Sequence, residues 1–415
     1  MGPHPEPTPT VSPLAPTVLE IPEYGELRLP KDQLSMAEAA MLDRSHREQV
    51  SIEAPSFRNP DQWVLRASGW VGQIPISKSL VLVLKPKVPI RNIFGMYEWA
   101  HQLKSLHLLK GMVHSGSLDD LFEQLARVLA TGALERSRQG LYRAYVPRSD
   151  RLPYLRGRLD LSERLRRPWS GRLGCRYQDF TADILENQLL AWTFHVIARS
   201  GLLGERSRPT VRRAYGIFHQ AVTPRPLQAH DCGEVKYHRL NADYEPLHAL
   251  CRFFLAHAGP THTTGKHGML PFVVDMSRLF EQFVRGWLER HLPDRYQLVS
   301  QERLVIGGEK GVEFLMDIVI REREHHRPVL VIDTKYKGES KPSTDDLHQI
   351  IAYAHSLGCP RAALVYPHSR ADGFQDLVGT TTQLKTLSFD IGQDLDAAGQ
   401  TLLEGIVRWV NQDQT

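Results

Sequence analysis

Cysteine is scarce in this chain of 415 residues, and no two cysteines are neighbours. Cys175, Cys232, Cys251 and Cys359 stand singly with no CxxC pair, which excludes a zinc knuckle and a disulfide framework. Missing too is any apolar run near the about 18 residues of a membrane span. The opening Met1-Gly-Pro-His-Pro-Glu-Pro carries no basic-then-apolar leader. The expectation is a cytoplasmic protein with reduced thiols and no membrane contact. Lysine is also scarce, 13 residues against 38 arginines, yet 47 acidic side chains bring the net charge to only +4. Arginine suits bidentate phosphate contacts, and a GC-rich genome produces the same bias, so composition permits a polyanion partner without requiring one.

What is present reads as a globular chain of two or three domains. Residues 1–20 form a Pro-rich tail, with six prolines before residue 18, and are expected to be disordered. Residues 21–134 are mainly β. Trp63-Val-Leu-Arg-Ala-Ser-Gly-Trp-Val-Gly and Ser79-Leu-Val-Leu-Val-Leu are strand-like, a short helical stretch covers Leu34 to Arg44, and helices cover Asn92 to Leu109 and Ser117 to Leu134. Residues 135–268 read as an Arg-rich and helical connector. Between Glu135 and Arg172 stand 11 arginines and four acids, interleaved with Tyr142, Tyr145, Tyr154 and Trp169. That mixture fits either a phosphate-tracking, base-stacking surface or a solvated charged face. Helices are expected at Phe180 to Ala198 and Leu247 to Ala258.

Residues 269–415 change character. A helix from Asp275 to His291 precedes strands at Tyr296–Val299, Val312–Ile320 and Val329–Ile332, a helix from Asp345 to Leu357 and a strand at Ala362–Tyr366. That α-β-β-β-α-β order is an α/β unit with a mixed sheet, so the fold class is a multi-domain α+β chain.

The chemistry concentrates in this last part. Asp317 interrupts the apolar strand Phe314-Leu-Met-Asp-Ile-Val-Ile, and Asp333 ends Val329-Leu-Val-Ile-Asp-Thr-Lys. Strand alternation puts Asp333 and Lys335 on one face. The turn Glu322-Arg-Glu-His-His-Arg-Pro would make the two strands antiparallel neighbours, with Asp317 beside Asp333. Close carboxylates repel, and a hard divalent cation relieves that repulsion. Mg²⁺ fits, with the Thr334 backbone carbonyl as a further ligand and Mn²⁺ as a substitute. Lys335 would orient or deprotonate a water, or stabilise charge on a phosphate. A structural Asp–Lys ion pair is the simpler alternative. Gln349 and Tyr353 share a face of the following helix, and Glu281 interrupts the amphipathic helix upstream.

The ordered set Glu281, Asp317, Asp333-Thr-Lys335, Gln349-x-x-x-Tyr353 resembles the PD-(D/E)XK nuclease core, in the variety whose helix carries QxxxY. The wider chain resembles the McrC-type subunits of McrBC modification-dependent restriction systems. That likeness runs through Gly72-Gln-Ile-Pro, Val81-Leu-Val-Leu-Lys-Pro-Lys, Tyr177-Gln-Asp-Phe-Thr-Ala-Asp-Ile-Leu-Glu-Asn-Gln and Asp275-Met-Ser-Arg-Leu-Phe-Glu-Gln-Phe-Val. It implies a Mg²⁺-dependent DNA endonuclease subunit that cuts modified double-stranded DNA in antiviral restriction. Its partner would be an AAA+ GTPase motor in a hexameric ring, docked by residues 21–134, whose hydrolysis it stimulates. Asp317 and Asp333 would bind metal, Glu281 would assist, through water or directly, and Lys335, Gln349 and Tyr353 would complete the site. A stand-alone RecB-like repair nuclease and a non-catalytic adaptor regulating an NTPase are the alternatives.

Other clusters carry less. Gly259-Pro-Thr-His-Thr-Thr-Gly-Lys-His has the wrong length and ending for a phosphate loop. His325-His326 falls in a turn. His230, Cys232 and His238 lack a second ligand pair for zinc. Asp179, Asp183 and Asn187 share one helix face on their spacing, in a structural role facing the Arg-rich segment.

Overall fold

The computed structural model describes residues 17–57, 59–77, 79–100, 118–200, 203–257, 272–306, 312–337, 342–368, 375–377 and 382–412. The Pro-rich start through residue 16 and the Gly259–His267 segment lie outside them, as does the end of the helix expected to reach Leu109; residues 17–20, expected to be disordered, instead pair into a sheet as part of a strand.

Six short strands and two helices open the described chain: β1 (Thr17–Pro22), β2 (Glu26–Pro30), α1 (Met36–His46), β3 (Val50–Glu53), β4 (Gln62–Ala67), β5 (Trp70–Pro75), β6 (Leu80–Lys85) and α2 (Ile90–Ala100). The start of α1 is set by a capping box. Ser35 Oγ accepts from the Glu38 amide, and the Glu38 carboxylate accepts from the Ser35 amide. Next come α3 (Leu118–Arg138), β7 (Ala144–Leu152), β8 (Arg158–Leu159), α4 (Leu161–Arg166), β9 (Leu173–Thr181), α5 (Leu185–Arg199), α6 (Arg208–Ala221) and α7 (Glu245–His257). The chain then forms β10 (Phe272–Asp275), α8 (Met276–His291), β11 (Tyr296–Ile306), β12 (Val312–Glu322), β13 (Pro328–Thr334), α9 (Thr344–Leu357), β14 (Arg361–Tyr366), β15 (Gln375–Leu377), β16 (Gln383–Ser388) and α10 (Leu395–Asn411).

Two compact units result, one holding the described residues of 1–101 and 264–415, the other those of 102–263. This division departs from the sequential parts expected at residues 134 and 268. The reason is long-range pairing: β10, next to the C-terminal segment, adds as an antiparallel edge to a four-stranded sheet of order β1-β6-β5-β10. A strand contributed from 200 residues away carries no local signature, so the discontinuity is invisible to sequence periodicity. A three-stranded sheet β2-β4-β3 packs beside it around Leu29, Leu42, Leu65, Ile74 and Leu82. The C-terminal segment of the same unit builds a mixed six-stranded sheet of order β11-β12-β13-β14-β16-β15. β11, β12 and β13 are an antiparallel meander, while β14 runs parallel to both β13 and β16. The α-β-β-β-α-β order expected from sequence is the order seen; β15, β16 and α10 extend it.

In the second unit the expected helical character is carried by α5, α6 and α7, while the Arg-rich segment ahead of them forms strands. It folds as a three-stranded antiparallel sheet, β7-β9-β8, with β7 and β9 paired over nine residues. Its faces bury little, so the apolar periodicity that announces a strand is absent, and cross-strand pairs hold it instead. Tyr145 packs on Phe180 at 5.0 Å between ring centroids, and Tyr177 donates to Asp150 at 2.8 Å. Because β9 continues to Thr181, the helix expected from Phe180 starts only at Leu185. Asp179 and Asp183 therefore precede the helix that holds Asn187. Asp179 pairs with Arg156 at 2.8 Å and Asp183 lies 3.9 Å from Arg148, so the acids do face the Arg-rich segment.

The crossing of β5 and β10 demands glycine. Gly72 has a φ of +138°, and a Cβ there would overlap the carbonyl oxygen of Phe272. Gly72→Ala is expected to lower the unfolding free energy by at least about 2 kcal/mol, read as a reduced urea midpoint; an unchanged midpoint would show that the two backbones need not approach so closely.

Candidate active site

Two acids meet at the centre of the mixed sheet because β12 and β13 pair antiparallel through Ile318↔Ile332, Val319↔Val331 and Ile320↔Leu330. One step further along that register, Asp317 stands opposite Asp333. Their neighbours Met316, Ile318, Val331 and Ile332 are fully buried, and Asp333 itself is only 3% exposed. Ionised carboxylates are rarely buried without compensation, and here the compensation is specific. Asp317 Oδ2 accepts from the Thr334 amide at 3.0 Å and from Thr334 Oγ1 at 3.1 Å. Lys335 Nζ sits 2.7 Å from Asp333 Oδ2.

The lysine is held from three sides. Besides Asp333, its Nζ donates to Gln349 Oε1 at 3.1 Å and lies 3.5 Å from Asp346 Oδ1. Gln349 Nε2 in turn donates to Tyr353 OH at 2.7 Å, one turn along α9. Helix α9 is placed by a Ser343/Asp346 capping box at its start and ended by left-handed Gly358. Its Ile350, Tyr353 and Ala354 pack on Met316, Val331 and Leu364 of the sheet. Asp346 escaped the sequence reading. Its place three residues after Ser343, ahead of an apolar run, marks a helix cap and says nothing of an acid buried between Lys335 and Lys337, the latter 3.1 Å away.

Glu281 reaches the same site from α8. Asp275 caps this helix, accepting from the Ser277 and Arg278 amides, and Leu279, Phe280, Phe283, Val284, Trp287 and Leu288 are buried along it. Burial first, and then the Asp317 charge, push the Glu281 carboxyl up to about 7, against the opposing pull of Arg285 and Arg278. Asp333 is pushed up to about 6 by burial and the Asp317 charge, offset in part by Lys335. The residues of the ordered set Glu281, Asp317, Asp333, Thr334, Lys335, Gln349 and Tyr353 thus converge. Asp317, Thr334, Asp333, Lys335, Gln349 and Tyr353 form one chain of contacts, joined electrostatically by Glu281.

The donor set suits a hard cation. Among the described residues no three His, Cys, Asp or Glu side chains are grouped to hold an ion by themselves, whereas Mg²⁺ needs only one or two carboxylates and keeps waters. Asp333 Oδ2 is buried and, although close to Lys335, makes no well-aligned hydrogen bond. A carboxylate oxygen paired with an ammonium keeps a second lone pair that can bind a metal.

The remaining clusters behave differently. His325 lies in the turn after β12, 3.6 Å from Glu322, and Cys232 is a buried free thiol. In the Arg-rich sheet, Arg151 pairs with Glu163, Arg156 with Asp179 and Arg176 with Asp160, which leaves those guanidinium groups less available to a phosphate backbone. Leu165 and Trp169 beside them are more than 80% exposed.

Because Glu281 and Asp333 hold protons in the folded state at pH values where the unfolded chain, with carboxyl pKa near about 4, has lost them, their contribution to stability falls as pH rises toward 7. In metal-free protein the melting temperature of Glu281→Gln relative to the native chain should therefore rise between about pH 5 and about pH 8. A difference that stays constant with pH would show that Glu281 is neither buried nor close to the Asp317 charge.

With this geometry in hand, comparisons with known proteins converge. The family model described as "McrBC 5-methylcytosine restriction system component" matches residues 65–367. The Type IV methyl-directed restriction enzyme EcoKMcrBC of Escherichia coli K12 is 24% identical over 319 residues, covering 68% of this chain and 87% of that protein. In three dimensions the chain resembles a chain from the Thermococcus gammatolerans assembly of McrB AAA+ hexamers with bound McrC. The TM-score is 0.59 at 19% identity, covering 94% of this chain and all of that one; at that identity the likeness concerns the fold alone. Among the described residues no helix is long and apolar enough to cross a membrane. Since the family model spans well over half of the sequence, the chain belongs to the family of McrBC 5-methylcytosine restriction system components.

Proposed function

We propose that this chain is the DNA-cutting subunit of a McrBC-type restriction complex, and that residues 269–415 are a PD-(D/E)XK nuclease domain. The observation that carries the reading is the contact chain of Asp317, Asp333, Lys335, Gln349 and Tyr353 on β12, β13 and α9, with a buried Asp333 beside a half-buried Asp317 where an ordinary core would be apolar. The reaction is hydrolysis of a DNA phosphodiester. Asp317, Asp333 and the Thr334 carbonyl would hold Mg²⁺, and Mn²⁺ would substitute. When bound, the cation supplies Lewis-acid charge for the phosphate oxygens.

The protein's own groups then have separable tasks. Thr334 fixes the orientation of Asp317 through its amide and hydroxyl. Lys335 is flanked by Asp333 and Asp346, which keep it protonated against burial. It therefore acts as a fixed cation toward the charge that develops on the phosphate, rather than as the base that removes a proton from water. Gln349, buttressed by Tyr353, aims that cation. Glu281, poised near neutrality, is the group suited to exchange a proton with an attacking water.

Family membership supports the rest. The partner is a hexameric AAA+ GTPase of McrB type, as in the assembly the fold resembles. The substrate is double-stranded DNA carrying methylated cytosine, as the family description and the Escherichia coli relative suggest. Residues ahead of the nuclease domain dock the motor and stimulate its GTP hydrolysis. With its GTPase partner, GTP, Mg²⁺ and methylated DNA, Asp333→Ala and Lys335→Ala should lower cleavage by about a thousandfold or more while GTPase stimulation persists. Cleavage at the native rate in both variants would refute the assignment, and vigorous cutting by the isolated chain would instead favour a stand-alone nuclease.

A further inference from the structure

Immediately beyond Lys335 the chain is gripped by residues far upstream. Tyr24 OH donates to the Tyr336 carbonyl at 2.5 Å, and Tyr336 OH donates to Glu23 Oε2 at 3.2 Å. Glu23 directly follows β1. It is fully buried, and its second oxygen, Oε1, finds no hydrogen-bond partner. Its amide donates to the Lys85 carbonyl at 2.8 Å, and its Oε2 also accepts from the Lys87 amide at 3.3 Å. Glu23 is thus fixed to the ends of both β1 and β6, and burial pushes its carboxyl up to about 7.

Such a group costs stability. An apolar side chain at residue 23 would serve a packing role better, since a buried carboxylate with an unsatisfied oxygen carries a desolvation penalty. Tyr24 adds a second cost. It adopts a φ of +55°, the left-handed region that a bulky aromatic residue seldom occupies. Its hydroxyl also occupies the space a Cβ at Gly69 would need, so that position is restricted to glycine. Backbone strain of this kind persists where the surroundings over-determine it, and it clusters at functional sites. Between these two residues lies the ring of Tyr336, 6.5 Å from Tyr24 and 5.8 Å from Phe280, the residue before Glu281.

We propose that Glu23 and Tyr24 are positioning residues for Lys335, a clamp on Tyr336 through which the β1-β6-β5-β10 sheet sets the reacting end of β13. The clamp holds the backbone on the C-terminal side of the lysine, as the Lys335 amide to Val365 carbonyl bond, 2.9 Å, holds it on the other. With both in place the Nζ is delivered to Asp333 and Gln349; with the clamp released, residues 335–337 lose two of their fixed points. Because the same sheet receives β10, which runs directly into α8 and Glu281, it touches the site by two routes. The link to cleavage rests on the nuclease reading above, while the positioning itself does not.

Two measurements on the full chain decide it. The first is activity-free: the rate of reductive methylation of Lys335, followed by peptide mass spectrometry, in Tyr24→Phe, Tyr336→Phe, Glu23→Ala and Glu23→Gln. The rate should rise severalfold in the first three and return toward native in Glu23→Gln, which keeps an oxygen for Tyr336. The second is steady-state cleavage of methylated DNA with the GTPase partner, GTP and Mg²⁺. For Tyr336→Phe, kcat should fall by about tenfold to a hundredfold, with KM for DNA and GTPase stimulation close to native. Unchanged methylation across all the variants overturns the proposal. So does a native kcat in Tyr24→Phe and Tyr336→Phe when Asp333→Ala in the same assay has lost cleavage. If Asp333→Ala cuts normally, the nuclease reading is what fails, and the methylation rates still decide the clamp.

Discussion

Two carboxylates facing each other across the middle of a buried sheet set the terms for everything around them. Asp317 and Asp333 repel, and the apolar strands that present them leave little solvent around the buried Asp333 to screen the repulsion. The structure answers with positive charge and hydrogen-bond donors placed at short range: the Thr334 amide and hydroxyl for one acid, Lys335 for the other. The residual imbalance shows in the raised proton affinity of Asp333 and Glu281. An apolar pair would pack this sheet more stably, so on the proposed reading the acids mark a place where stability is given up for chemistry.

The second tier follows from the first. Lys335 neutralises Asp333 only if its flexible stem is held, and the holding is distributed over three elements: Asp346 and Gln349 from α9, Tyr353 behind Gln349, and the backbone pairing to β14. Asp346 serves twice, as the reciprocal partner in the helix capping box and as a counter-ion to Lys335 and Lys337. The helix cannot begin elsewhere without moving the lysine. On the proposed reading this explains how a site whose catalytic groups come from separated strands and helices keeps one geometry, and why the upstream strand β1 is followed by a buried Glu23 rather than by a leucine.

Much of this architecture can be read from local pattern. Apolar strands broken by a single acid, the Asp-x-Lys tripeptide and the Gln349/Tyr353 spacing all survive folding, because each is a property of one strand or one helix face. The elements from α8 to β14 appear in the expected order for the same reason. Where local pattern misled, the signal was not hydrophobic. β7 and β9 are strands held by Arg–acid and aromatic pairs across the ladder, with little burial, so an Arg-rich stretch resembled a connector. Asp179 kept its Arg partner even though the helix assigned to it was wrong, since charge complementarity does not depend on the element that presents it.

The sequence by itself determined the chemistry on offer: the strands and helices from α8 to β14, which of them carry an acid or a lysine in an apolar setting, and the family to which the chain belongs. Only the tertiary structure decided proximity. Glu281, Asp346 and the Glu23–Tyr24 pair are brought to Lys335 by the register of β12 on β13, by the packing of α8 and α9, and by a β10 strand that pairs with β5 from 200 residues away. Register and long-range pairing arise from the summed fit of many weak contacts, and no short stretch of sequence encodes that sum.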